Sequence, residues 1–293
     1  MVEEMAGLGF KRIELSHGIR ISLVPGILQA VEEGMVEISS IHNFCPLPNS
    51  VQHAAPNLYQ PTAGDARERQ LWRNYTLQTL EFAEKLGAPK IVIHSGSVWF
   101  FLRSAEAGLE AWVAENELKH AELAEHEAYR KRLGRALKRI ERRGRKPMAR
   151  LKENFESLRE ILGEKNLCLG IENREGLEEL PVDAAHGDFV RSFDDARHYA
   201  YWHDSGHAEI KAQCGLLDHA ERLADMAELT AGWHLHDVTE DGKDHQVPGT
   251  GVIDFGMIGG FIRPEHAVVL ELSPSLRSED VRQARDYILS TVA

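Results

Sequence analysis

Six apolar runs in this chain end on a side chain able to bind a cation or move a proton. Ile41 is followed by His42, Ile93 by His94, Ile171 by Glu172, Trp202-His203 by Asp204, Trp233 by His234 and Leu270 by Glu271. Taken singly, each has a plain structural reading. A histidine at a strand end is more often a hydrogen-bonded core or rim residue than a ligand. A glutamate is more informative, because Glu is almost never fully buried unless it is paired. Three carboxylates converging on two or more imidazoles would repel one another and lose their hydration. A divalent cation removes that conflict, so the joint pattern points to metal binding.

The elements that must position these groups follow from the same runs. Residues 12–16, 36–42, 90–96, 167–173, 199–204, 232–237 and 267–273 have the length and composition of buried strands. Helical spacing fills 68–86, stopped by Gly87, and 151–162, stopped by Gly163. It also fills 218–229 and 278–291. Strands alternating with helices mean parallel βαβ units, hence an α/β fold. Seven strands are one short of a (β/α)8 barrel. Residues 1–8 read as the tail of a helix ending at Gly9, so the strand expected before it would be absent from this chain. The expected fold is a single TIM (β/α)8-type barrel domain over 1–293, lacking the usual first strand. No glycine-rich phosphate loop follows an early strand, which counts against an open doubly wound sheet. In a parallel barrel the C-terminal strand ends share one rim, and there the six side chains can converge.

Residues 100–150 stand apart as a helical insertion. Residues 104–128 are acidic and 130–150 carry eleven Lys and Arg, with Pro147 marking a break before the next helix. The basic residues are scattered around the helix. That suits a solvated helix pairing with the acidic one, or with a partner subunit in a homo-oligomer, better than a phosphate-binding stripe.

Composition narrows the field. A 293-residue chain with 43% hydrophobic residues can bury a full core. No run of 18 apolar residues occurs, and residues 1–4 lack the basic and apolar character of a secretory signal. Three scattered cysteines, Cys45, Cys168 and Cys214, fit a reducing, cytoplasmic setting. The net charge of −12 disfavours nucleic acid as a partner.

The order of motifs also carries a resemblance. Ile171-Glu172-Asn173, then Trp202-His203-Asp204-Ser205-Gly206-His207, then His234-Leu235-His236-Asp237 appear in that sequence. Pro248-Gly249-Thr250-Gly251 with Asp254, and Leu270-Glu271-Leu272, complete it. From about Gly9 to the C-terminus, outside 100–150, the chain resembles the xylose-isomerase-like TIM-barrel superfamily of sugar isomerases, epimerases and endonuclease IV. The resemblance implies Glu172, Asp204, His234 and Glu271 as ligands of one metal. The endonuclease branch adds positions matching His42, His94, His207 and His245. Where it has a further Asp, this chain has Lys243, whose charge opposes a third cation; the neighbouring Asp244 would face the other way in an extended segment. A second metal would fall to His94, His207 and His245.

The expected activity is a metal-dependent isomerisation or epimerisation of a sugar, sugar phosphate or cyclitol. Glu172 and Glu271 would exchange the proton beside the carbonyl through a metal-bound enediolate. His207, His94 and His42 would contact the substrate, and Phe44, Tyr59 and Trp99 could wall it. The donor set suits Mn, Zn, Co, Mg or Fe. The alternative is an endonuclease IV-like phosphodiester hydrolase acting on abasic DNA, which lacks here the bulky DNA-inserting residues after His42.

Overall fold

The computed structural model describes residues 1–49 and 51–292. All seven expected strands are present: β1 (Arg12–Leu15), β2 (Glu37–His42), β3 (Lys90–Ile93), β4 (Cys168–Glu172), β5 (Tyr199–Asp204), β6 (Thr230–Leu235) and β7 (Ala267–Leu270). Among the described residues they form one sheet in chain order, with every resolved pairing parallel. Parallel neighbours need crossover connections, and helices supply them. These are α1 (Val2–Gly7), α2 (Val24–Glu32), α3 (Ala66–Leu86), α4 (Ala105–Glu115), α5 (Glu127–Glu156) and α6 (Arg159–Lys165). They continue as α7 (Asp183–Arg191), α8 (Ser205–Gln213), α9 (His219–Met226), α10 (Phe255–Gly259) and α11 (Ser278–Val292). The architecture is a TIM-type barrel with seven strands among the described residues, β1 and β7 ending the strand order.

Contacts divide the chain into two compact units. The first comprises Met1–Gly96, Ala149–Glu172 and Val190–Ala200. Here β3 and β4 pair with Ile93 opposite Ile171, so His94 and Glu172 leave their strands at the same level. α3 is capped at one end by Asp65, which accepts from the Arg67 amide at 2.8 Å, and at the other by Gly87 in the left-handed region. Its buried face sets Trp72 against Phe155, with ring centroids 5.8 Å apart.

The second unit comprises Ser97–Met148, Asn173–Phe189 and the residues from Tyr201 on. Asp204 is the register partner of His234, and Leu235 of Leu270, so the polar ends of β5, β6 and β7 are aligned. Leu109 and Leu123 pack with Tyr129 and Leu133 of α5. Each buried side chain of this size contributes roughly 1.5–3 kcal/mol.

Pro147 and Gly163 do not act as the expected helix boundaries. α5 runs unbroken through Pro147. Proline removes one backbone donor, but the long helix-forming sequence on both sides carries the helix past it. α6 passes through Gly163 and stops at Asn166, which takes the left-handed cap conformation at φ 53°.

Candidate metal centre

In the first unit the chemistry gathers on Glu172. Its buried carboxylate Oε2 lies 2.9 Å from His94 Nε2 and 3.6 Å from His42 Nε2. The ring orientations show what these nitrogens offer. His42 Nδ1 lies 3.0 Å from the Asn43 carbonyl oxygen, which can only accept. Nδ1 therefore carries the proton, and in the neutral ring Nε2 presents a lone pair to Glu172. His94 Nδ1 makes the matching contact to Asn57 Oδ1 at 3.0 Å. With the ring protons on Nδ1, these two lone pairs and the carboxylate could hold a cation, and a far ring nitrogen held by a carbonyl is how metal-binding histidines are oriented. Asn43 Oδ1 and Ser95 Oγ, beside these histidines in sequence, are buried without a hydrogen-bond partner among the described residues. The donor set fits a divalent metal.

In the second unit Asp204 is fully buried at the end of β5 and also caps α8, its Oδ1 accepting from the His207 amide at 2.7 Å. Asn173 clamps the Asp204 backbone from both sides, its Oδ1 accepting from the Asp204 amide and its Nδ2 donating to the Asp204 carbonyl. His234 Nδ1 lies 2.8 Å from Glu271 Oε2 and 3.9 Å from Asp204 Oδ2. Three of the four expected ligands of the first metal thus meet within this unit. Glu172, at the end of β4, belongs to the first.

The histidines expected to serve a second metal fall in three different donor groups. His94 stands with His42 and Glu172, His207 with Glu175 and Asp244, and His245 with His236 and Glu271. His207 and His245 are oriented as His42 is, each with Nδ1 at 3.0 Å from a backbone carbonyl oxygen, of Asn173 and Glu271 respectively.

Asp244 departs from the expected orientation. Its carboxylate is a neighbour of His207 and Glu175. The reason is the next residue: His245 has φ 52°, which breaks the extended alternation assumed for opposite faces. Lys243 is exposed, with its ammonium 3.5 Å from Asp241 rather than among the donors. Arg174 is the cation that does reach this group, with Nη1 3.3 Å from His207 Nδ1 and 3.5 Å from Nε2. Nothing in the motif spacing singled out Arg174.

His236 was also not singled out. It lies between metal candidates and packs directly above Gly206, where a Cβ would stand 2.0 Å from its ring. Its Nε2 contacts Asp204 Oδ1 at 3.0 Å and its Nδ1 accepts from the His245 amide at 2.9 Å. Burial favours the neutral ring, but the Asp204 carboxylate outweighs it and holds the imidazole up to about 9. The His245 amide, donating to Nδ1, pulls the other way, toward the neutral ring with its proton on Nε2. A cation drawing on Asp204 would let the ring keep that form.

Of the three aromatic residues considered as a substrate wall, Phe44 is buried and meets Tyr59 and Tyr75 edge-on, with centroids 6.2 and 6.1 Å away. Tyr59 stacks on Tyr75 at 5.5 Å. Trp99 is 71% exposed and touches Phe101.

No protein-family model and no curated protein sequence matches the chain. Solved structures do match in fold. D-psicose 3-epimerase from Clostridium cellulolyticum H10, determined with D-tagatose, aligns at TM-score 0.66 and 12% identity over 99% of this chain and 92% of that one. The 3-keto-D-glucoside 4-epimerase YcjR from E. coli aligns at 0.66 and 12%, with the same coverage. The IolI protein, solved with a zinc atom, aligns at 0.65 and 13% over 99% of this chain and 91% of that one. The chain shares its barrel fold with these three proteins. No helix among the described residues is long and apolar enough to cross a membrane.

Proposed function

We propose that the protein is a divalent-metal-dependent isomerase or epimerase of a sugar, sugar phosphate or cyclitol. The observation that carries this reading is the donor set at the strand ends, buried carboxylates faced by imidazole lone pairs. Glu172, Asp204, His234 and Glu271 would hold one metal, with His94, His207 and His245 as candidates for a second. Oxygen and nitrogen donors together suit Mn, Zn, Co, Mg or Fe. A bound divalent ion supplies Lewis-acid polarisation of a substrate carbonyl and its neighbouring hydroxyl.

The chain's own groups then move the proton. One of Glu172 and Glu271 removes the proton beside the carbonyl, and the other returns it. Glu172 is buried against imidazoles, whereas Glu271 is partly exposed and paired with His234, so the two acids differ in environment. Such a difference lets one accept a proton while the other donates. His42, His94 and His207 would orient the substrate, their Nε2 lone pairs accepting from its hydroxyl groups. The epimerase neighbours support this chemistry at the level of fold.

The test has two stages. Metal content is measured on protein purified without added metal, and a panel of ketoses and aldoses is then incubated in D2O with the metal found. Deuterium should enter the carbon beside a carbonyl. Absence of any bound divalent metal, or of exchange into every sugar tried, would sink the reading.

A second reading keeps one observation of its own. His42 and His94 add to Glu172, and Asp244 joins His207 and Glu175, while Lys243 is turned to Asp241. A donor set this extended suits hydrolysis of a phosphodiester in abasic DNA by several metals. The net charge of −12 weighs against a polyanionic substrate. Cleavage of an abasic oligonucleotide without sugar exchange would decide for it.

A further inference from the structure

The basic helix α5 does not pair with the acidic segment before it in the way its composition suggests. Arg132, Arg135 and Arg139 follow one another at i, i+3 and i+7, which places them on one face. With Arg103 they line an open cleft of about 230 Å3, closed on the other side by Ser104, Gly108 and the start of α4. Among the described residues none of these four guanidinium groups has a carboxylate at ion-pair distance. Elsewhere on the same helix such pairs do form, as between Lys131 and Glu127 at 2.6 Å.

Neither are the four arginines simply loose in solvent. Arg139 donates to the Arg103 carbonyl at 2.6 Å and lies 4.6 Å over the Phe100 ring. Arg132 lies 4.5 Å over the Trp112 ring. Packing thus fixes two of the guanidinium planes, and a hydrogen bond ties α5 to the backbone that carries a third. Like charges held around a cleft repel one another, and an anion between them turns that repulsion into attraction. All four are arginine, although Lys131 and Lys138 lie on the same helix. The planar fork of arginine matches the oxygens of phosphate in pairs, as an ammonium does not.

We infer that this cleft is a binding site for a phosphate-ester anion, separate from the metal centre. The exposed apolar residues that precede Arg103 in the chain bear on the source of such an ester. Trp99, Phe101 and Leu102, immediately before Arg103, are 71%, 74% and 89% exposed. A soluble phosphate ester and a lipid headgroup share the chemistry that the cleft recognises, and the experiment separates them.

Calorimetry with inorganic pyrophosphate and co-sedimentation with phosphatidylcholine vesicles doped with phosphatidic acid are run on the full chain, each at matched ionic strength. Saturable binding of either probe is expected, weakened about tenfold or more in Arg132→Gln/Arg135→Gln. The control variant Lys131→Gln/Lys138→Gln removes the same charge from the same helix outside the cleft and should bind as wild type does. Pyrophosphate binding identifies a soluble ester as a sufficient ligand. Binding to vesicles alone, lost in Trp99→Ser/Phe101→Ser, identifies a headgroup. No saturable binding to either probe, or equal weakening by the lysine control, would overturn the inference.

Discussion

Two buried acids at strand ends look alike in sequence and have opposite fates in the structure. Asp237 follows β6 by two residues, and Glu172 ends β4. The Asp237 carboxylate accepts four backbone N–H groups, from Val238 at 2.9 Å and Ile253 at 3.1 Å on Oδ1, and from Gly249 at 2.9 Å and Gly251 at 2.8 Å on Oδ2. Gly251 is required for this, since a Cβ there would stand 2.1 Å from the Val238 carbonyl oxygen. Glu172 is faced instead by two imidazoles whose protons are turned away. The first acid is complete within the chain and holds a loop. The second is set among groups that gain by a cation. The Pro-Gly-Thr-Gly motif that marks the family resemblance thus serves Asp237, not Glu172.

The comparison is sharpened most by neutralising each acid in turn. Glu172→Gln should lower deuterium exchange by at least about a hundredfold, because an amide ligates weakly and accepts no proton. Glu271→Gln should do the same, and both variants should melt within a few degrees of wild type. Exchange at the wild-type rate in either would remove that residue from the proton path. Asp237→Asn should instead cost about 2–3 kcal/mol of stability by denaturant titration, since the new amide group meets N–H donors. Its metal content should be unchanged when folded. Loss of metal without loss of stability in Asp237→Asn would erase the distinction.

A smaller effect tests the cation directly. Without metal, Asp204 holds His236 up to about 9, above the ordinary histidine value of about 6.5. A folded pKa raised in this way stabilises fully below about pH 6.5, and the contribution is lost as pH rises through about 9. Chelator-treated protein should therefore lose stability between those limits. Metal bound by Asp204 competes with that proton, so metal uptake near pH 7.5 should release one more proton in wild type than in His236→Gln. Equal proton release in the two proteins would show that Asp204 and His236 are not coupled to the metal.

How much of this was legible in the sequence depends on whether the signal is local. The seven strands were readable because a buried parallel strand is a short apolar run, and the six chemical groups because each ends such a run. Gly87 stops α3 as its type predicts. Gly163 did not stop α6 and Pro147 did not break α5, because helix packing and long-range propensity outweighed single residues. The site was less legible where the backbone turns. The left-handed conformation of His245 re-aims Asp244. Arg174 and His236 became visible only when β4, β5 and β6 placed them against His207 and Asp204. The arginine cleft was hidden for another reason: eleven basic residues on one helix obscured the three that share a face.

The smallest expected effect separates two roles of a single residue. Asp204 caps α8 and is a proposed ligand, whereas Asp218 caps α9 and is only a cap, its Oδ1 accepting from the Glu221 amide at 2.8 Å. Asn caps a helix about as well as Asp, whereas Ala forfeits about 1 kcal/mol. Asp218→Asn should thus be near neutral, and Asp218→Ala should cost about 1 kcal/mol with metal content unaltered. Asp204→Asn keeps an oxygen for the His207 amide, so the cap survives, but it removes the charge facing His234 and His236. Metal affinity should fall by about ten- to a hundredfold, on the scale of losing one well-supported metal contact. In chelator-treated protein the elevated His236 titration should vanish with it. If Asp204→Asn binds metal as wild type does and loses only about as much stability as Asp218→Asn, Asp204 is a helix cap and nothing more.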